Sequence, residues 1–150
     1  MESKSNPVSG SCLCRAVRFE VHLPSRFCAH CHCPDCRRAH GAAFVTWAGF
    51  KAEQVRILTG EDLLTRHLTD TGATRSFCKR CGSTLFYERP RCPGEVHVPL
   101  ATLDGPIDRL PSAHVYVDDR ASWWHITDAL PQYGGESGME LKIAKGVTSG

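Results

Sequence analysis

The chain reads as a mainly β protein carrying one short helix, on three observations. Val17, Phe19, Val21 and Leu23 alternate with Ala16, Arg18, Glu20 and His22, which is the period of a strand with one buried face, and Pro24 ends it. Further along, short stretches rich in β-branched and aromatic residues recur between Gly, Pro and Asp. Only residues 34–40 carry helix signals: Cys33 precedes a proline at the favoured first helical position, and Gly41 stands where a left-handed C-terminal residue belongs.

Taken in order, the expected strands after 16–23 are 44–50, 54–58, 63–68, 84–88, 96–103 and 114–117. Within 96–103, Val96, Val98 and Leu100 alternate cleanly. The run from Gly134 to Gly138 breaks the pattern, and residues 139–145 have room for at most two helical turns before Gly146. These limits define a single domain over 8–134 and a C-terminal tail, 135–150, without an assigned role.

The chain has 150 residues, 41% of them hydrophobic, enough for one domain with a core of its own. Eighteen Lys and Arg against sixteen Asp and Glu leave a formal charge of +2, which excludes a polybasic stripe as the basis of function, so no nucleic-acid partner is expected. No apolar run reaches the ~20 residues that span a bilayer, and the polar N-terminus lacks the apolar region of an export signal. The expected location is the cytoplasm, with no membrane association. A reducing cytoplasm disfavours a disulfide scaffold, and the nine cysteines are odd in number. Thiolates serving a metal or a reaction are the better reading.

The cysteines sort into two sets. Cys12 and Cys14 lie just before the first strand, and Cys78 and Cys81, followed by Gly82, lie at the mouth of another. Two close pairs can present four sulfurs to one tetrahedral zinc, a structural site. Cys28, Cys31, Cys33 and Cys36 form the second set. Here spacing permits either a closed four-sulfur site or a three-thiolate site from Cys31, Cys33 and Cys36 that leaves a coordination position for a substrate, and it does not choose between them. A thioredoxin-like reading of Cys33 and Cys36 lacks the βαβ pattern that should surround it. His30 and His32 flank Cys31 but are expected to be hydrogen-bond partners or exposed groups rather than ligands.

In combination these motifs resemble the glutathione-dependent formaldehyde-activating enzyme family, in which centromere protein V is also placed. The resemblance rests on Gly10, Cys12 and Cys14; on Cys31, Cys33, Pro34, Asp35, Cys36, Arg37 and Arg38 with Gly41 and Phe44; on Arg75, Phe77, Cys78, Cys81 and Gly82; and on Asp104, His114, Trp123, Trp124 and Pro131. It implies a β-tent fold of two leaning antiparallel sheets and two zinc ions. One would be structural, on Cys12, Cys14, Cys78 and Cys81; the other exchangeable, on Cys31, Cys33 and Cys36, with Cys28 as an extra. Members commonly carry glycine after the second cysteine of the first pair, where this chain has Arg15.

The implied activity is that of a carbon–sulfur lyase, S-(hydroxymethyl)glutathione synthase, which joins formaldehyde to the thiol of glutathione. Glutathione carries two carboxylates, and Arg37, Arg38 and Arg75 are the candidate cations for them, because a guanidinium can bond both oxygens of a carboxylate. Asp35 and His32 are the candidates for moving the proton, and His114 gains interest from the family match. Trp47, Trp123 and Trp124 are expected to pack in the core or at a rim. Two competing functions are a non-catalytic zinc module that binds a protein or nucleic-acid partner, and a lyase acting on a different thiol adduct.

Overall fold

The structure, a computed structural model, describes residues 7–144. It is mainly β with two sheets and one α-helix, as expected. The strands are β1 (Val8–Ser11), β2 (Arg18–Val21), β3 (Phe27–Cys31), β4 (Val45–Lys51), β5 (Val55–Thr59), β6 (Leu64–Leu68), β7 (Thr74–Cys78), β8 (Thr84–Glu88), β9 (Glu95–Pro99), β10 (His114–Val115), β11 (Gln132–Gly134) and β12 (Glu140–Ile143), with helix α1 at Pro34–His40. The smaller sheet has the order β1-β2-β5, and the larger β12-β11-β10-β3-β4-β9-β8-β7-β6.

The chain divides into two compact units, one of the described residues up to Phe27 with Ala48–Leu110, the other of Cys28–Trp47 with the described residues from Pro111 onward. In the first, β2 pairs antiparallel with β1 and β5, and β6, β7, β8 and β9 form an antiparallel meander. Val17, Phe19 and Val21 point inward with no exposure, as their alternation requires. They join Phe50, Leu64, Leu85, Phe86, Val96 and Val98 in one apolar core, where the rings of Phe19 and Phe86 meet edge to face at 5.0 Å. Gly10 lies so close beneath Phe19 that a Cβ there would stand 2.5 Å from the ring, so this strand tolerates no side chain at that point.

In the second unit β10 pairs in parallel with both β3 and β11, which corrects the expectation of purely antiparallel sheets. A parallel pairing needs a long connection between its strands, and the segment from Cys31 to His114 supplies it. The helix forms over the expected residues. Cys33 accepts the Cys36 N–H with its side chain, and Gly41 closes the helix at φ 60°, donating to the Arg37 carbonyl. Residues 139–145 are not helical where they are described: Glu140–Ile143 form β12, paired antiparallel with β11, and Lys145 lies outside the described residues. Two turns of isolated helix are marginal in water, whereas a strand edge offers hydrogen bonds immediately.

Candidate metal centres

The loop after β1 and the turn after β7 bring Cys12, Cys14, Cys78 and Cys81 together, with their sulfurs within 4.8 Å of one another. At the first, Arg15 donates its N–H to the Cys12 carbonyl at 3.1 Å, and the Val17 N–H points at the Cys12 sulfur at 3.3 Å. This turn requires a left-handed residue, and Arg15 fills it at φ 66°. At the second, Gly82 takes φ 83° and donates to the Cys78 carbonyl at 2.7 Å. Ser83 links the two turns, accepting the Leu13 N–H at 2.9 Å while its hydroxyl lies 3.2 Å from the Cys81 sulfur.

The Cys12–Cys14 and Cys14–Cys78 sulfur distances are 3.6 and 3.9 Å. Sulfurs at the corners of a tetrahedron with Zn–S near ~2.3 Å would stand about 3.8 Å apart. The electrostatics point the same way. Burial raises the Cys81 thiol, yet the Ser83 hydroxyl and neighbouring N–H and S–H groups outweigh it and bring Cys81 down to about 5. Cys14 is pushed up to about 11: a hydrogen bond to Ala16 lowers it, and desolvation and the neighbouring sulfurs more than reverse that. Four thiols at this spacing cannot all ionise unless a cation sits among them.

The second group combines Cys31, the last residue of β3, with Cys33 at the helix N-terminus and Cys36 in its first turn; these three sulfurs also lie within 4.8 Å of one another. The sulfurs receive N–H donors, Cys33 from the Cys36 backbone at 3.3 Å and Cys36 from the Trp47 indole at 3.4 Å. Cys33 and Cys36, together with burial, drive the Cys31 thiol far above the ordinary range, and Cys33 itself is pushed up to about 11, where the Cys31 thiol lowers it but Cys36 and burial prevail. Cys28 is fully buried and does not join the group. It sits three residues before Cys31 on the same strand, so the pleat directs the two side chains to opposite faces. Of the two arrangements that spacing allowed, the geometry provides three sulfurs.

His32, between Cys31 and Cys33 in sequence, belongs to a hydrogen-bonded relay of two buried histidines and an aspartate. The Nε2 of His32, which has no exposure, lies 2.8 Å from Nδ1 of His114, and Nε2 of His114 lies 2.9 Å from an Asp128 carboxylate oxygen. Because the carboxylate accepts only, His114 donates to it from Nε2; its Nδ1 then accepts from His32 Nε2–H, and Nδ1 of His32 is left as a bare acceptor. That atom is buried without a hydrogen-bond partner among the described residues. Burial, then the neighbouring His114, lowers His32 to about 4. Desolvation raises Asp128, but the His114 hydrogen bond and the Leu130 N–H hold it below the usual carboxylate value. His30 bonds Thr46 at 2.8 Å, and Phe44 packs on His30 and His32 with ring centroids 5.0 and 5.1 Å away.

The other expected site residues fall in different settings. Arg37 is half-buried and donates from Nε to the His32 carbonyl at 3.4 Å; Arg38 and Asp35 are exposed on the helix. Arg75 is buried on β7 with its guanidinium 4.6 Å from the centre of the Tyr87 ring. Trp47 is in the core, Trp124 packs on Phe44 and is 41% exposed as a residue, and Trp123 is exposed. Asp128 escaped sequence reasoning, since nothing local distinguishes it from a loop aspartate. Its link to His32 depends on the pairing of β10 with β3, in which His114 stands opposite His30.

Fold and site together define a mainly β protein with two cysteine groups that can each hold a metal ion. The model of the glutathione-dependent formaldehyde-activating enzyme family matches residues 7–119, and the chain belongs to that family. It is 30% identical over 126 residues to a Halomonas elongata protein named provisionally as such an enzyme, covering 79% of this chain and 80% of that one. It is 28% identical over 78 residues to an uncharacterized lyase of Schizosaccharomyces pombe, 52% of this chain and 55% of that one. A crystal structure of a Rhodobacter sphaeroides protein superposes with a TM-score of 0.57 at 34% identity, over 67% of this chain and 92% of that one. No helix among the described residues is long and apolar enough to cross a membrane.

Proposed function

We propose that the chain is a zinc-dependent carbon–sulfur lyase of the S-(hydroxymethyl)glutathione synthase type, working in the direction that joins formaldehyde to glutathione. The observation that carries this reading is the group of three sulfurs, and not four, at Cys31, Cys33 and Cys36. In it Cys12, Cys14, Cys78 and Cys81 hold a structural zinc, and Cys31, Cys33 and Cys36 hold an exchangeable one with a position left for substrate. A zinc ion held by Cys31, Cys33 and Cys36 would supply stabilisation of an incoming thiol as thiolate at neutral pH and, less effectively beside three anionic sulfurs, Lewis acidity toward an aldehyde oxygen.

The chain's own groups do the rest. In the condensation the glutathione S–H bond breaks, an S–C bond forms, the π pair of the carbonyl moves to oxygen, and a proton ends on that oxygen. The proton passes from sulfur to oxygen through solvent, while the buried pair His32 and His114, anchored by Asp128, fixes the end of β3 between Cys31 and Cys33. Arg37 and Arg38, on the helix that carries Cys36, are the cations proposed for the carboxylates of glutathione, whereas Arg75 is buried over Tyr87. Phe44, packed on His30, His32 and Trp124, adds apolar surface next to the histidines.

The test mixes formaldehyde and glutathione with zinc-loaded protein and follows adduct formation against the spontaneous reaction. A rate well above background that is abolished by Cys33→Ser is expected. A rate equal to background removes the reaction while leaving the fold and the family as they are.

A further inference from the structure

The ninth cysteine belongs to neither of the two groups above. Cys92 lies in the connection between β8 and β9, where its N–H bonds the Arg89 carbonyl at 3.1 Å and its own carbonyl accepts the Glu95 N–H at 3.2 Å. These two tight turns fold the residue back onto the start of β9. There Glu95 and His97, two apart on one strand, present their side chains on the same face. The Cys92 sulfur, a Glu95 carboxylate oxygen and a His97 ring nitrogen all lie within 4.8 Å of one another.

Further features make this a built arrangement and not a chance meeting of surface groups. Glu95 Oε1 stands 2.9 Å from His97 Nε2, while its other oxygen accepts Arg26 Nε–H at 2.8 Å. A carboxylate oriented from behind by a second partner is the arrangement that fixes metal-ligating groups. His97 is 6% exposed, its ring held edge to face by Phe27 at 4.8 Å and flanked by Tyr87 at 5.7 Å. Beside the cluster opens a cleft of about 760 Å³ lined by Arg26, Phe27, Lys51, Gln54 and Glu95, so Glu95 belongs to both cluster and cleft.

We propose that Cys92, Glu95 and His97 form a further cation site, for a zinc-class divalent ion held by one thiolate, one carboxylate and one imidazole. The donor set selects the ion. Calcium and magnesium require shells built from oxygen, whereas a mixed sulfur, nitrogen and oxygen set suits zinc or cobalt. Three protein ligands leave a fourth tetrahedral position, the arrangement of an exchangeable site and not of a closed structural one. Uptake replaces the Glu95–His97 hydrogen bond with a bond from each group to the ion.

The test counts zinc by elemental analysis after equilibrium dialysis of the full chain against dilute zinc. The wild-type protein is expected to hold one ion per chain more than either Cys92→Ser or His97→Gln, whatever the occupancy of the other cysteine groups. Cys33→Ser removes a different ion, so the double variant Cys33→Ser with Cys92→Ser loses both. Cobalt in place of zinc should add to the wild type the charge-transfer absorption of a single thiolate, absent in Cys92→Ser. Equal metal content in the wild type and both single variants overturns the proposal, as does a cobalt charge-transfer band of the same intensity per chain in the wild type and in Cys92→Ser. Circular dichroism and melting of each variant exclude a loss of ions through unfolding.

Discussion

Arg15 occupies a backbone conformation in which an L side chain crowds the following carbonyl, at φ 66°. Left-handed geometry costs a non-glycine residue about 1–2 kcal/mol, and its side chain is exposed, so little is lost by removing it. Arg15→Gly should therefore raise stability by up to about 1 kcal/mol, part of the gain being returned as entropy of the unfolded chain. The check is the denaturant midpoint of the zinc-loaded protein; an unchanged or lower midpoint would show that the arginine side chain contributes contacts that offset the strain. A second residue-scale prediction concerns Asp128, which touches His114 and through it positions His32. Asp128→Asn lets His114 adopt the opposite tautomer, so His32 Nδ1 is no longer held as an acceptor. Activity above background should fall about 10–100-fold with zinc content unchanged, whereas a merely structural role would lower the melting temperature and spare the rate.

Elements were legible where the pattern is local, and less so where it comes from a partner. Helix α1 announced itself through Pro34 and Gly41, both of which act within one turn. The strand around Phe19 did so through alternation. Strand β1, with the residues Val-Ser-Gly-Ser, carries almost no intrinsic preference and exists because β2 pairs with it along its length. Strand β3 was hidden because its two cysteines, Cys28 and Cys31, fell in a set read as candidate ligands. The segment before it is tied down by Asp108, which accepts the Ser25 N–H at 3.1 Å and the Ser25 hydroxyl at 2.7 Å. Burial raises the Asp108 carboxyl, but the Ser25 hydrogen bonds hold it below its ordinary value of 3.8. A carboxyl whose pKa is lower in the folded state stabilises fully above the unfolded value, and the contribution is lost as the pH falls through the folded value. Asp108→Ala should thus cost about 1–2 kcal/mol at neutral pH, and the gap to the wild type should close as the pH drops below about 4. Urea unfolding at several pH values measures it; a gap that persists in acid would assign the cost to packing.

At the scale of the molecule, the cysteines were legible as ligand sets because close pairs and triplets in sequence are the units a metal site is built from, although only the fold brings Cys12 and Cys14 to Cys78 and Cys81; the histidine relay was not legible. Its members His32, His114 and Asp128 are separated by long stretches of sequence and meet only through β-pairing. The proposed function divides stability and activity between the two groups. Cys12 and Cys78 are themselves members of the apolar core that includes Phe19 and Leu85, so the ion they are proposed to hold is bonded to the packing. Cys31, Cys33 and Cys36 gather at one end of a strand and one short helix. Losing an ion from the first group sacrifices binding energy that in zinc-finger peptides is on the order of 10–16 kcal/mol, comparable to the whole stability of a domain. Cys78→Ser should therefore yield protein without a cooperative thermal transition, and Cys33→Ser protein that melts within a few degrees of the wild type but lacks activity. Dialysis against a chelator should remove the ion of Cys31, Cys33 and Cys36 with the fold intact, because a site with an open position exchanges faster than a closed one. Melting temperatures of both variants, read beside zinc content before and after dialysis, decide the matter. A folded, cooperatively melting Cys78→Ser protein would mean that apolar packing alone sustains the fold, and that the four-sulfur group serves something other than stability.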